Sequence, residues 1–339
     1  MLETMLKATI TDIAREMGIT PSTVSRALSG SPRVKEATRK AVEQKAREMG
    51  YERNVMASNL RKGVAQTVGI IVPRINRQFF SNVISSIESA LGTAGYSVII
   101  CQTREKLENE INALKTMRSN RVAGVIMSHS IESRDGSHVM EILDEDTALI
   151  QFDRVFSDLP GVKIVNDGAN GSYQATKCLI RNGYRRIGTL AGYLGTATFR
   201  SRLEGYRKAI SEAGLEEYVF TDAILRKTGQ ESAQEAIRMG CDALYCAGDF
   251  SALGAMDAAK QAGLCIPRDF GIVGTANEIF TDLTSPAMSS IEQNPKEMGL
   301  RAAEAFLQFA KGIHEDKEII VEMKLIERES SMRQTLSKQ

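Results

Sequence analysis

The segment Ser22-Thr23-Val24-Ser25-Arg26 sets three hydroxyls and a guanidinium within five consecutive residues. Such groups donate to phosphate oxygens and to base edges. No acidic residue falls between Glu16 and Glu36, so the charges around these donors are Arg26, Arg33 and Lys35 alone. A structural helical hairpin would carry solubilising Glu/Lys pairs there, and the pattern suits contact with a polyanion. Other chemistry is sparse. His129, His138 and His314 lack metal-ligand spacing and a nucleophile to serve, and read as solvated loop residues. Gly188-Thr-Leu-Ala-Gly192 falls short of a dinucleotide fingerprint, no Walker-type phosphate loop occurs, and Asp144-Glu-Asp146 reads as a solvated helix end. The five cysteines, Cys101, Cys178, Cys241, Cys246 and Cys265, are scattered without a CxxC pair, which suits reduced thiols. These residues describe a binding protein rather than an enzyme, with no cofactor and no metal.

The donors need a helix to present them. Thr20 is a capping residue, and Pro21 takes the first helical position, where its missing N–H costs nothing. The preceding helix, from Thr11 or Asp12, carries Ala14, small enough for close approach, and ends at Gly18, which tolerates a left-handed turn. Val24 then points back at Ala14. A small residue, glycine four on and a branched apolar residue ten on is a helix-turn-helix spacing. Val34, Thr38, Ala41, Val42, Ala46 and Met49 recur at helical intervals and predict a third helix.

From Thr67 the texture changes to short β-branched runs: Val68 to Val72, Val98 to Cys101, Val122 to Met127, Ala148 to Phe152, Lys163 to Val165, Ile187 to Leu190, Ala243 to Cys246 and Ile272 to Val273. They alternate with amphipathic stretches such as Phe80 to Thr93, Gly171 to Arg181, Arg202 to Glu212, Glu231 to Arg238 and Ser251 to Gln261, which predicts parallel α/β architecture. A loop from Asp153 to Val162, after which the rhythm restarts, divides it into two lobes. Ser289 to Asn294, the helix Lys296 to Lys311 and a strand Glu318 to Val321 read as crossings back between them. At 339 residues, 42% apolar and 25% charged, the chain is a globular protein of two or three domains, not a disordered, collagenous or disulfide-rich one. The start lacks an export signal and no apolar run reaches membrane-spanning length, so the expected location is the cytoplasm. The net charge of +1 divides unevenly: residues 1–66 hold twelve basic and seven acidic side chains, a net +5, and the remainder −4.

Thr9-Ile-Thr-Asp-Ile-Ala, Thr23-Val-Ser-Arg-Ala-Leu-Ser-Gly30, Met49-Gly-Tyr51, Val68-Gly-Ile-Ile-Val-Pro73 with Phe79-Phe80, Arg202-Leu-Glu-Gly-Tyr206, Ile266-Pro267, Ser285-Pro286 and Arg328-Glu-Ser-Ser331 stand in an order that resembles the lactose/galactose repressor (LacI/GalR) family of bacterial transcription regulators. The resemblance covers almost the whole chain. It implies an α plus α/β fold: a three-helix helix-turn-helix DNA-binding domain (1–53), a hinge helix and linker (54–66) and a periplasmic-binding-protein-like core (67–331). The core's parallel α/β lobes are expected at about 67–164 with 294–321 and 165–293 with 322–331, before a short tail (332–339). It also implies a ligand-responsive repressor acting as a homodimer on a pseudo-palindromic operator, with no membrane partner. The alternative is a stand-alone small-molecule binding protein without DNA function.

By family position, Pro21, Ser22 and Arg26 meet the major groove, with Thr20, Thr23 and Ser25 on backbone and nearby bases. Asn54, Ala57 and Leu60 match the hinge helix, Leu60 being the minor-groove wedge. Arg53 stands where family members usually have Pro. The effector, a sugar, sugar acid or sugar phosphate, is expected between the lobes. Its expected contacts are Phe79, Phe80, Asp153, Thr198, Arg202, Asp249 and Gln293. The two phenylalanines read either as ring-stacking or as core, and Arg202 is placed at a helix start. Two departures stand out. Gly274-Thr-Ala276 lacks the family's aspartate at Ala276, leaving Asn277 as a substitute, and Arg77-Gln78 replaces the common Asn-Pro. Arg77 reads as surface charge or as a contact to an acidic sugar or phosphate.

Overall fold

The structure, a computed structural model, describes residues 8–51 and 66–333. Asn54, Ala57 and Leu60, with Arg53, lie outside the described residues. The chain divides into two units, Met1–Ala65 and Gln66–Gln339.

In the first unit, three helices form around seven small or branched apolar side chains. They are α1 (Ile10–Met17), α2 (Pro21–Leu28) and α3 (Glu36–Glu48). Ile13, Ala14, Val24, Ala27, Val34, Val42 and Ala46 make the core. The first helix starts earlier than Thr11 because Thr9 is its cap: the Thr9 hydroxyl accepts the Asp12 amide, and the Asp12 carboxylate accepts the Thr9 amide. Gly18 ends it with φ of 64°, and the Ile19 amide closes back onto the Ala14 carbonyl at 3.1 Å. Thr20 then caps α2 by accepting the Thr23 amide, with Pro21 as the first helical residue.

The second unit begins β1 (Thr67–Val72), α4 (Gln78–Thr93), β2 (Ser97–Gln102), α5 (Leu107–Ser119), β3 (Gly124–Met127), α6 (Ser137–Ile142), β4 (Ala148–Phe152) and β5 (Val162–Asn166). It continues α7 (Gly168–Arg181), β6 (Ile187–Gly192), α8 (Ala197–Glu212), β7 (Tyr218–Thr221), α9 (Arg226–Arg238), β8 (Ala243–Cys246), α10 (Asp249–Gln261), β9 (Gly271–Thr275) and β10 (Ser289–Glu292). It ends α11 (Pro295–Phe309), β11 (Glu318–Val321) and β12 (Lys324–Ile326). Two sheets result, in the orders β11-β5-β4-β3-β1-β2 and β12-β10-β9-β8-β6-β7. All pairings are parallel except β10 with β12.

The inner strands, such as β1, β3, β4, β6, β8 and β9, are buried along nearly their whole length because each sheet has helices on both faces. Val68, Ile70 and Val72 of β1 enter one core and Ile71 the other; on β8, Ala243 and Tyr245 oppose Leu244 and Cys246 in the same way. Helix pairs approach closely where glycine allows it: a Cβ on Gly254 would lie 2.1 Å from the Arg226 carbonyl oxygen, so α10 rests directly on the start of α9.

The strand that restarts the rhythm after the loop, β5, stays in the first sheet, and the crossing to the second lobe follows Asn166. The chain returns after β10 and crosses again after Val321. One side chain joins the three crossings: Asn166 Nδ2 donates to the Gln293 carbonyl at 2.8 Å and the Val321 carbonyl at 3.3 Å, while Gln293 Nε2 donates to Asn166 Oδ1 at 3.2 Å.

Candidate functional site

On the first unit, Pro21, Ser22 and Arg26 are exposed on one helix. The Thr20 hydroxyl is 2.9 Å from those of Ser22 and Thr23, linking three hydroxyls at the amino end of α2. That end carries the positive pole of the helix and no acidic side chain, which suits a phosphate oxygen. Arg15, Lys40 and Lys45 are paired with Asp12, Glu36 and Glu16, whereas Arg26, Arg33 and Lys35 on and after α2, and Arg47 of α3, are exposed and make no ion pair among the described residues. Charge left unneutralised around α2 can neutralise a phosphate backbone.

The second unit holds an open cleft between its lobes. It lies beyond the carboxyl ends of the strands, where β1 and β6 each have successors on both sides and the strand order reverses. Phe79, Phe80, Asp153, Thr198, Arg202, Asp249 and Gln293 all line it. Phe79 and Phe80 are both buried, pack edge to face at 5.1 Å and belong to the first lobe's core as well as to the cleft wall. Arg202 is not at a helix start, since α8 begins at Ala197 on the Thr196 cap. It is buried one turn and more into the helix, its Nη1 donates to the Ala247 carbonyl at 2.7 Å, and its Nε finds no partner among the described residues. Thr198 reaches across the cleft to donate to the Asp153 carbonyl at 2.8 Å. Burial pushes the Asp153 carboxyl up, against the Arg154 and Arg202 guanidiniums that favour its ionised form.

The expected substitute Asn277 does not face the cleft. Its amide bonds Glu292 at 3.0 Å and its carbonyl oxygen accepts from Arg328 at 2.9 Å. Ala276 and Asn277 have φ of 116° and 50°, and this double reversal brings the next side chain, Glu278, into the cleft wall instead. The Glu278 amide donates to Asp249 at 2.8 Å, and the Ser290 hydroxyl donates to the same carboxyl at 2.6 Å. Burial pushes Asp249 up to about 7 despite these two donors.

Arg77 is a cleft residue rather than surface charge. Its guanidinium lies 3.6 Å from the centroid of the Phe250 ring on the opposite lobe. Next to it, the Gln78 amide donates to Glu278 at 3.3 Å and the Gln78 side chain accepts the Ile279 amide. The two departures noted in the sequence therefore meet each other across the cleft.

His129 and His138 are not solvated: both are packed against the buried Glu110 of α5, and His314 alone of the three is exposed. Burial would raise the Glu110 carboxyl, but its close contacts with the His129 and His138 rings and the Ser130 amide outweigh it and hold the group well below its ordinary value.

A family model described as "Bacterial regulatory proteins, lacI family" matches residues 9–54, and one described as "Periplasmic binding protein-like domain" matches residues 176–331. The HTH-type transcriptional repressor PurR of Vibrio vulnificus (strain CMCP6) is 30% identical over 320 residues, covering 92% of this chain and 95% of that protein. The chain belongs to the LacI family of bacterial regulatory proteins. A crystal structure of the Lac repressor dimer bound to operator and the anti-inducer ONPF superposes with a TM-score of 0.85 at 22% identity, covering 96% of this chain and all of that one, and shows the same fold. The transcriptional regulator CelR in complex with cellobiose has a TM-score of 0.70 at 25% identity, covering 95% of this chain and 99% of that one.

The charged and aromatic cleft residues missed by sequence reasoning include Arg74, Glu105, Arg154, Phe250 and Glu278. Arg154 grips Glu105 through two nitrogens at 2.6 and 3.3 Å, and Arg74 stands 3.8 Å from the same carboxylate. A positional rule would have found several of them: Arg74, Arg154 and Phe250 follow the carboxyl ends of β1, β4 and β8 within a few residues.

Proposed function

We propose that this LacI-family chain represses transcription by binding, as a homodimer, a two-fold-symmetric operator, and that a small polyhydroxylated effector in the cleft sets its affinity. Arg26 and Ser22 read base edges, Pro21 offers an apolar contact, and Thr20, Thr23 and Ser25 position the helix on the backbone. Asn54, Ala57 and Leu60 would complete the contact in the minor groove. The observation that carries the reading is the pairing of one helix of exposed, unneutralised donors with a cleft holding a guanidinium nitrogen, Arg202 Nε, that has no partner among the described residues. One half-site offers little contact area, and a dimer doubles both area and register. The Lac repressor's operator-bound dimer and CelR's cellobiose complex are consistent with both halves of the proposal.

For the effector, Phe79 and Phe80 supply an apolar wall, and Asp153 and Arg202 supply an acceptor and a donor for hydroxyls, with Thr198, Asp249 and Gln293 around them. A sugar or sugar derivative fits this mixture, and Arg74 and Arg77 add room for an acidic one. Binding, not catalysis, is the role of the cleft, and DNA reading places the protein in the cytoplasm. The stand-alone binding protein is not favoured, because relatives that share nearly the full length are transcriptional regulators and repressors.

The test is selection of duplexes from a random DNA library by the full-length protein, followed by anisotropy titration across a salt series with and without sugars, sugar acids and sugar phosphates. Enrichment of a two-fold-symmetric sequence, with affinity that falls steeply with salt and shifts with one class of sugar, is expected. No enrichment, or equal affinity for selected and scrambled duplexes, overturns the reading.

A further inference from the structure

Behind the first lobe's wall of the cleft, one carboxylate and two imidazoles converge. Glu110 is fully buried on α5, His129 follows β3, and His138 is the second residue of α6. Glu110 Oε1 lies 2.8 Å from His129 Nδ1 and 2.9 Å from His138 Nε2, and the three atoms fall within 4.8 Å of one another. Glu110 Oε2 accepts the Ser130 amide at 2.6 Å, so the carboxylate is held with Oε1 towards both rings.

The far side of His129 settles which ring nitrogen carries the proton. Phe156 orients the Gln151 amide: its N–H donates to Gln151 Oε1 at 2.8 Å, and Gln151 Nε2 donates to its carbonyl at 3.3 Å. The atom 3.0 Å from His129 Nε2 is therefore a carbonyl oxygen, and Nε2 must be the donor. In the neutral ring the lone pair is then on Nδ1, facing a carboxylate oxygen 2.8 Å away. Two lone pairs at that separation require a positive species between them, either a proton or a metal ion.

We propose that Glu110 Oε1, His129 Nδ1 and His138 Nε2 bind a divalent transition-metal ion of the zinc class. Two imidazoles and a carboxylate are a donor set that zinc takes. Each of two ligands already has the outer partner that orients such groups, Gln151 for His129 and Ser130 for Glu110. Tetrahedral zinc ligands stand about 3.3 Å apart, so the carboxylate needs to part from each ring by roughly half an ångström. The His138 side chain is 12% exposed and provides the way in. The site is separate from the effector cleft but braced against it: Arg154, which lines the cleft, donates to the His129 carbonyl at 3.3 Å while gripping Glu105. Metal at this point would stiffen the loop between β3 and α6 and, through it, that wall of the cleft.

The experiment strips the full-length protein with a chelator, equilibrates it with Zn²⁺, and measures bound metal per chain and the melting temperature. One Zn²⁺ per chain with a raised melting temperature is expected. Its affinity should fall at least tenfold in His138→Ala and Glu110→Gln, and hold in His314→Ala. Should Glu110→Gln fail to fold, His138→Ala, altered at the more exposed ligand, carries the test. Co²⁺ should give visible d–d absorption in the parent and in His314→Ala, and none in His138→Ala. No Zn²⁺ uptake at micromolar concentration, or uptake and Co²⁺ absorption unchanged by His138→Ala, overturns the proposal and leaves a proton between the groups.

Discussion

The Arg77 guanidinium and the Phe250 ring, carried by opposite lobes, face each other at 3.6 Å across the cleft. A cation over an aromatic face contributes about 0.5–2 kcal/mol, more as water is excluded. With Gln78 bonded to Glu278 and to the Ile279 amide, the pair forms a latch that draws the lobes together. In a double-mutant cycle read by urea unfolding, Arg77→Ala and Phe250→Ala should show a coupling of about 0.5–2 kcal/mol. Strict additivity would mean that the contact does not hold the lobes.

Arg202 has one guanidinium nitrogen committed to Ala247 and another, Nε, buried without a partner among the described residues. A ligand oxygen supplying that partner gains a charge-assisted hydrogen bond. Arg202→Met should therefore weaken effector binding about 10- to 100-fold, a loss of about 1.5–3 kcal/mol. Isothermal titration with the sugar found in the effector screen checks it; an unchanged affinity would remove Arg202 from the effector site.

Asp249 gives the second unit a pH dependence. Its carboxyl titrates near 7 when folded and near 4 when unfolded. Below about pH 4 it is protonated in both states and costs nothing. As pH rises through the window between the two values the unfolded chain releases its proton first, and stability falls by up to about 4 kcal/mol. Asp249→Asn keeps an acceptor for the Glu278 amide and cannot ionise, so its stability measured from pH 4 to 8 should lack this decline. Parallel profiles for both proteins would refute the assignment.

Arg26 is exposed on α2 and unpaired among the described residues. Arg26→Ala should cost about 1–3 kcal/mol on the selected operator and less on scrambled DNA, relaxing discrimination at one base position in each half-site. Uniform weakening across sequences in the anisotropy titration would make Arg26 a phosphate contact instead.

The helix-turn-helix was legible because every device in it is local: a capping hydroxyl, Pro21 at a helix start, Gly18 in the left-handed region. The buried strands were legible as β-branched runs. Reading failed where polar groups occupy core positions. Helix α5 buries Glu110 together with Ala113, Leu114 and Met117, so a carboxylate interrupts the stripe that would have announced the helix, and the two histidines it holds looked like loop residues for the same reason. Strand β7 was missed because its four residues at a sheet edge bury only Tyr218. In the cleft, position-by-position transfer from the family put the missing carboxylate's role on Asn277. The positive φ angles at Ala276 and Asn277 bring Glu278, not Asn277, to the cleft wall, and backbone direction of this kind is not written in residue spacing.

Asn166 ties together the three strands of chain that pass between the lobes, and its partner Gln293 also lines the cleft. A body tethered by three neighbouring strands keeps one soft motion, opening and closing, and loses most of its freedom to slide or twist. On the proposed reading, a ligand that drew on the Gln293 side chain would pull on the axle itself. The message would then need to cross neither lobe, because it would be received at the point where the chain passes between them.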